Sequence, residues 1–138
     1  VPVGIYRRVD DTPKTGSFAA TCLDRSLAEF GLERGYILRG NCKTGIQPVL
    51  KIIYAVEGDT FAVHDGLVVI NGKKLTSFDV LDTDSKGRDV KPFFEGELTL
   101  KNDEFILMSD HKRNSWDSRY WGPVPVEYLL EPVWTRHE

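Results

Sequence analysis

The run Val49-Leu50-Lys51-Ile52-Ile53-Tyr54-Ala55-Val56 constrains this chain more than any other stretch. It is the most apolar segment and reads as a strand. Alternate strand residues face opposite sides. Val49, Lys51, Ile53 and Ala55 therefore share one face, and Leu50, Ile52, Tyr54 and Val56 the other. Both faces are apolar, so the strand is expected to be buried on both sides. Lys51 is the anomaly in it. An ammonium held there is desolvated, which lowers its pKa and favours the neutral amine. A neutral lysine can act as a general base at neutral pH. The plainer alternative is a lysine that snorkels to the rim of the sheet.

The remaining periodicity is also mostly that of strands. Extended runs are expected at 3–9, 17–23, 36–39, 60–64, 67–70, 73–76, 97–101 and 104–108, with a last strand inside 124–134. Gly58-Asp59 and Asp65-Gly66 mark turns, and Asn71-Gly72 is a strong two-residue hairpin signal. One short helix is expected over 26–32, with Leu27 and Phe30 on one face, Asp24 or Ser26 as its cap and Gly35 at its end. Residues 77–92 are polar and read as a long surface loop. There is no repeat and no linker, and 138 residues is the size of one domain. The fold class expected is mainly β, a single domain with short connections.

Composition excludes some functions. Lys plus Arg is 18 and Asp plus Glu is 21, a net charge of −3, which argues against a nucleic-acid binder. No apolar run approaches the ~18 residues of a membrane span. The chain shows no signal peptide and does not begin with Met, so it reads as an excised domain. His64, His111 and His137 have no ligand spacing, and no metal or nucleotide motif is present. There is no Gly-x-Ser-x-Gly elbow either. Cys22 and Cys42 are too few for a zinc site built on cysteine alone. They are either a reduced structural pair or one disulfide, whose closure would stabilise by ~3 kcal/mol.

A second anomaly is the segment 110–122, dense in polar groups yet carrying Trp116, Tyr120 and Trp121. If these aromatics pack inside, Asp117 and Arg119 come inside with them and set the electrostatics of a buried lysine. The alternative is a solvated loop, whose Asp-Arg pair would be worth little.

Three segments together resemble a known family. Pro2-Val3-Gly4-Ile5-Tyr6 is similar to the tail of the Ser-x-Pro-x-Gly-x-Tyr nucleophile motif of TraF-type conjugative transfer peptidases, relatives of bacterial signal peptidase I. Lys51 followed by Gly58-Asp59 resembles the family's lysine segment. Ser115-x-Asp117-Ser118-Arg119-x-Trp121-Gly122 looks like the last signal peptidase box. The resemblance runs from Pro2 to about Pro132. The Pro-Val-Gly-Ile-Tyr start, Glu33-Arg34-Gly35-Tyr36-Ile37 and Gly40-x-Cys42 favour the conjugative branch. His111-Lys112 departs from the family's Asn-Arg.

The resemblance implies antiparallel sheets forming a partly open barrel, and a Ser-Lys dyad acting in acyl transfer. Lys51 would be the general base, oriented by Ser115, with Asp117 and Arg119 as a supporting ion pair. The nucleophilic serine is expected immediately before Val1, close to Lys51. The chain as given lacks it and is expected to be inactive. Cys22 and Cys42 match cysteines at similar places in TraF proteins, which implies a disulfide and a periplasmic site. No cofactor and no metal are implied. The substrate would be a pilin precursor or another exported protein, processed by hydrolysis or by cyclisation. The other partner would be the inner membrane, reached through an anchor ahead of Val1, with the domain on its periplasmic face. The competing readings are a general signal peptidase I and a non-catalytic β-module that binds a pilus component.

Overall fold

The computed structural model describes residues 5–8, 13–93, 96–109 and 115–133. In chain order its elements are β1 (Ile5–Arg8), β2 (Phe18–Thr21), α1 (Arg25–Arg34), β3 (Val49–Ala55), β4 (Thr60–His64), β5 (Leu67–Ile70) and β6 (Lys73–Asp79). There follow β7 (Gly96–Thr99), β8 (Glu104–Met108), α2 (Ser118–Trp121), β9 (Val124–Pro125) and β10 (Leu129–Val133), with a 3-10 turn at Val126–Tyr128. The strands make two antiparallel sheets, one ordered β1-β10-β2-β3-β8-β9 and one ordered β6-β5-β4-β7. Neither closes into a barrel among the described residues. No helix among them is long and apolar enough to cross a membrane.

Asn71-Gly72 makes the expected hairpin between β5 and β6, with both residues at positive φ (52° and 78°). That is the backbone that matches the twist of paired strands. Asp24 caps α1 by accepting the Leu27 N–H at 2.8 Å. The helix buries Ala28 and Gly31, while Leu27, Phe30 and Leu32 are only half-buried. Small residues face the core because the Trp116 ring lies against this turn. A Cβ on Gly31 would stand 2.6 Å from Trp116 Cζ3.

The apolar side chains form two clusters. One gathers Ala28, Ile37, Ile46, Ile53, Phe105, Leu107 and Trp121, and the other Ala55, Phe61, Val63, Val68, Phe78, Ile106 and Met108. Strand β8 alternates between them, so it is buried on both faces and forms their shared wall. Strand β3 crosses from one cluster to the other through a bulge between Ile53 and Ala55.

Several expectations are corrected. Only one face of β3 is fully buried: Lys51, Ile53 and Ala55 are buried, whereas Leu50, Ile52 and Tyr54 are half-exposed. Leu50 and Ile52 of the second face line a cleft, together with Val49 and Lys51 of the first. Residues 36–39 are not a strand, and only Arg39 pairs, as an isolated bridge to Ile46. The loop folds back on this segment instead, with Gln47 N–H donating to Leu38 O and Gly40 N–H to Gly45 O. β6 runs to Asp79, past the expected end, because it bulges at 76–78 and resumes pairing where Asp79 meets Leu67 of β5. A second helix, the single turn α2, lies inside the polar-aromatic segment. Pro2, Gly4 and residues 110–114 lie outside the described residues, and Tyr6 is placed by its backbone in β1.

Cys22 and Cys42 are bonded, with Cα atoms 5.8 Å apart. The bond ties the start of α1's approach to the loop after it. Cysteine-to-alanine replacement of the pair is expected to lower stability by roughly 3 kcal/mol in urea unfolding, from the loop-closure entropy of this separation. The unfolded, non-reduced chain should give no titratable thiol.

Candidate active site

Lys51 sits in the middle of the six-stranded sheet, paired with Ala19 of β2. It is 8% exposed. Its Nζ donates to Ser115 Oγ at 2.9 Å and to Ser109 Oγ at 2.8 Å. Ser115, expected beside the lysine, arrives there from the segment before α2. Ser109 was not singled out by sequence reasoning. The only signal for it is a polar residue ending the buried run Phe105-Ile106-Leu107-Met108.

Asp117 and Arg119 are both fully buried. Arg119 grips the carboxylate with two parallel bonds, Nε to Oδ1 at 2.9 Å and a terminal N–H to Oδ2 at 2.8 Å. Such bidentate charge-assisted pairs are the strong ones. Asp117 also caps α2 through the Arg119 N–H and accepts the Ser109 N–H at 3.1 Å. Arg119 further donates to Asp79 O at 3.0 Å and stands 5.4 Å from the centre of the Phe78 ring. The pair thus holds the backbone of Ser109, whose hydroxyl holds Lys51. Ser118 adds a buried tie by accepting the Leu107 N–H at 2.9 Å.

Gly58 and Asp59 lie elsewhere. Asp59 accepts the Val56 N–H and the Asn71 amide, and Gly58 N–H donates to Leu100 O. Those bonds knit the turn after β3 into the four-stranded sheet, and neither residue lines the cleft.

The cleft above Lys51 has a volume of about 680 Å³. Its sheet side carries Phe18, Leu50 and Ile52, its floor Lys51, Ser109 and Ser115, and its remaining lining includes Tyr36, Trp116, Leu81, Asp84 and Val90. Trp116 stacks among Tyr36, Phe30 and Trp121, with ring centres 5.2–5.9 Å apart. Burial raises the Tyr120 hydroxyl above its ordinary pKa, although it accepts the Leu81 N–H at 2.9 Å. Burial also raises Tyr36, reinforced by its bond to Asp84.

Burial pushes the Asp84 carboxyl upward, but its hydrogen bonds outweigh that. The Arg88 backbone N–H, the Tyr36 hydroxyl, the Arg88 side chain and the Lys86 backbone N–H hold it well below the ordinary carboxylate range. A depressed carboxylate stabilises the fold above its unfolded pKa and loses that contribution only as pH falls toward the lowered value. Sequence reasoning passed over Asp84, one of several aspartates in a polar loop.

The comparisons with known proteins agree with this picture. The family model "Signal peptidase, peptidase S26" matches residues 6–133. A plasmid transfer protein TraF of Escherichia coli is 32% identical over 98% of this chain and 78% of its own length. A conjugal transfer protein TraF of Agrobacterium fabrum is 30% identical over 97% of this chain and 77% of its own length. A probable signal peptidase I-2 of Synechocystis is 34% identical over 63% of this chain and 37% of its own length. A crystal structure of signal peptidase I from Enterococcus faecalis superposes with a TM-score of 0.48 at 20% identity, over 91% of this chain and 98% of that one. The chain belongs to the signal peptidase family, peptidase S26, and conjugal transfer TraF proteins are among its relatives. Membership implies serine endopeptidase chemistry in general and a peptide or protein substrate.

Breaking the buried pair should be costly, because it strands one charge in the interior. Arg119→Ala is expected to lower stability by about 3–5 kcal/mol in equilibrium urea unfolding. Arg119→Lys should recover only part of this, since an ammonium cannot make the bidentate fork.

Proposed function

We propose that this chain carries the general base of a membrane-anchored, periplasmic serine endopeptidase of the conjugative-transfer kind, which processes a pilin precursor or another exported protein. The observation that carries the reading is the buried Lys51 amine, within 2.9 Å of two serine hydroxyls on the floor of an open cleft. The TraF relatives support the conjugative branch. The Cys22–Cys42 bond supports an oxidising compartment.

The chemistry follows from the lysine's surroundings. The proposed proton transfer requires Lys51 as the neutral amine. A neutral amine has two N–H groups and one lone pair. Its bonds to the Ser109 and Ser115 hydroxyls direct the amine. The lone pair takes the proton of the nucleophilic serine as its oxygen attacks the scissile carbonyl carbon. Lys51 then returns that proton to the leaving amine as the C–N bond breaks, which leaves an acyl-enzyme. Water, or the substrate's own amino terminus in a cyclising enzyme, resolves the ester with Lys51 again as base. The nucleophile is the serine that the motif at Pro2, Gly4 and Tyr6 calls for, just ahead of Val1. Asp117 and Arg119 act through Ser109 as positioning residues.

The test uses the full-length protein and its pilin-type substrate. Lys51→Ala should reduce cleavage by about 1,000-fold or more with the fold intact. Lys51→Arg should fail equally, because a guanidinium keeps its proton. Ser109→Ala and Ser115→Ala should cost up to about 100-fold, as expected of misdirected rather than missing groups. Substantial cleavage by Lys51→Ala would assign the base elsewhere.

A further inference from the structure

The segment between β6 and β7 takes no part in the proton transfers proposed for Lys51, yet it walls the cleft. Leu81, Asp84 and Val90 line it together with Phe18, Leu50 and Ile52. The segment is pinned at both ends by the residues around α2. Leu81 N–H donates to the Tyr120 hydroxyl at 2.9 Å, and Phe93 N–H donates to Arg119 O at 2.9 Å. Between these ends it is gathered around Asp84, whose side chain is 7% exposed.

The two oxygens of Asp84 divide the work. Oδ1 accepts the Lys86 and Arg88 backbone N–H groups, each at 2.9 Å, and so folds the loop's own turn. Oδ2 accepts the Tyr36 hydroxyl at 2.8 Å and Arg88 Nε at 2.7 Å, with the Arg34 guanidinium at 3.5 Å. Arg34 is the last residue of α1, and Tyr36 follows its Gly35 cap. Two more bonds cross the same seam, Arg34 to Asp89 O at 3.0 Å and Arg88 to Arg34 O at 3.2 Å. Arg34 also lies 4.6 Å from the centre of the Phe30 ring. Oδ2 is thus the point at which the loop is latched to the helix.

We propose that the Asp84 latch fixes the 80–93 loop as a wall of the cleft, and that Asp84 is thereby a positioning residue for a peptide whose apolar side chains lie against Leu81 and Val90. This rests on the peptidase reading for the identity of the ligand as peptide. The chemistry of the wall selects the class. Leu81 and Val90 offer apolar contact to side chains lying on Leu50 and Ile52. Asp84, the one carboxylate in the lining among the described residues, is already engaged by donors from the loop, Tyr36 and Arg88.

Asp84→Asn separates the two roles. An asparagine keeps a carbonyl oxygen for the Lys86 and Arg88 N–H groups. It sets an NH₂ where Oδ2 stood, against two guanidinium groups. Two measurements on the chain itself read the result: amide hydrogen exchange, and anisotropy of a short fluorescein-labelled peptide of alternating alanine and valine. Asp84→Asn should speed exchange at Val90 about tenfold or more, change the Arg88 amide less because its acceptor oxygen is kept, leave the β3 and β8 amides unchanged, and weaken peptide binding about tenfold. Tyr36→Phe, which removes one hydroxyl and no charge, should shift both readouts the same way by a smaller factor. The inference is overturned if the unsubstituted chain does not bind the peptide, or if both variants bind it as tightly. It is equally overturned if weakened binding comes only with lost protection in β3 and β8, which would make Asp84 a general stabiliser. Binding without cleavage by the full-length protein would remove the peptidase reading and leave the latch standing.

Discussion

The buried Asp117–Arg119 pair is the constraint on which the rest of the site depends. Neither charge reaches solvent, so each must be matched within the protein. The carboxylate is matched by a bidentate guanidinium, the α2 N-cap and the Ser109 N–H. The guanidinium in turn reaches the end of β6 through Asp79 O. One ion pair therefore joins the end of β8, the end of β6 and the single turn of α2. The first two belong to the six-stranded and the four-stranded sheet, and the third follows Ser115, which bonds Lys51. A hydrophobic isostere could fill the volume but could not fix three backbones in one register.

Lys51 is held at the junction this pair creates. Its burial comes from β3, which contributes one face to a core and turns the other toward the cleft. Its direction comes from Ser109 and Ser115, which bracket the residues 110–114 in sequence and meet at one amine in space. The amine is buried yet lines a cleft, the combination that the proposed proton transfer needs.

The strand content, the Asn71-Gly72 hairpin and the Asp24 cap were legible because each rests on local chemistry. Period-two alternation, positive-φ turn residues and a short side-chain oxygen ahead of a helix act within a few residues. The segment at 36–39 misled for the same reason. Its composition suits a strand, but no neighbouring strand is available, and the disulfide-bound loop folds back on it. Lys51, Ser115, Asp117 and Arg119 were legible as odd residues in apolar or aromatic company. Ser109 and Asp84 were not, because nothing in their local sequence distinguishes them from solvated polar residues.

The amino-acid sequence alone determined that this chain would be mostly β and that a lysine would lie in its most apolar strand; for the Asp-Arg pair among the tryptophans it left burial and a solvated loop both open. The first two follow from the transfer free energies of side chains and from backbone periodicity, which need no partner. The tertiary structure decided which face of β3 opens to a cleft and which serines meet the amine. It also decided that a polar loop becomes a wall, latched through Asp84 to a helix 50 residues away in sequence at Arg34. Those are pairings across long sequence separations. Their free energy depends on distances and burial that exist only once both sheets and the helix have packed.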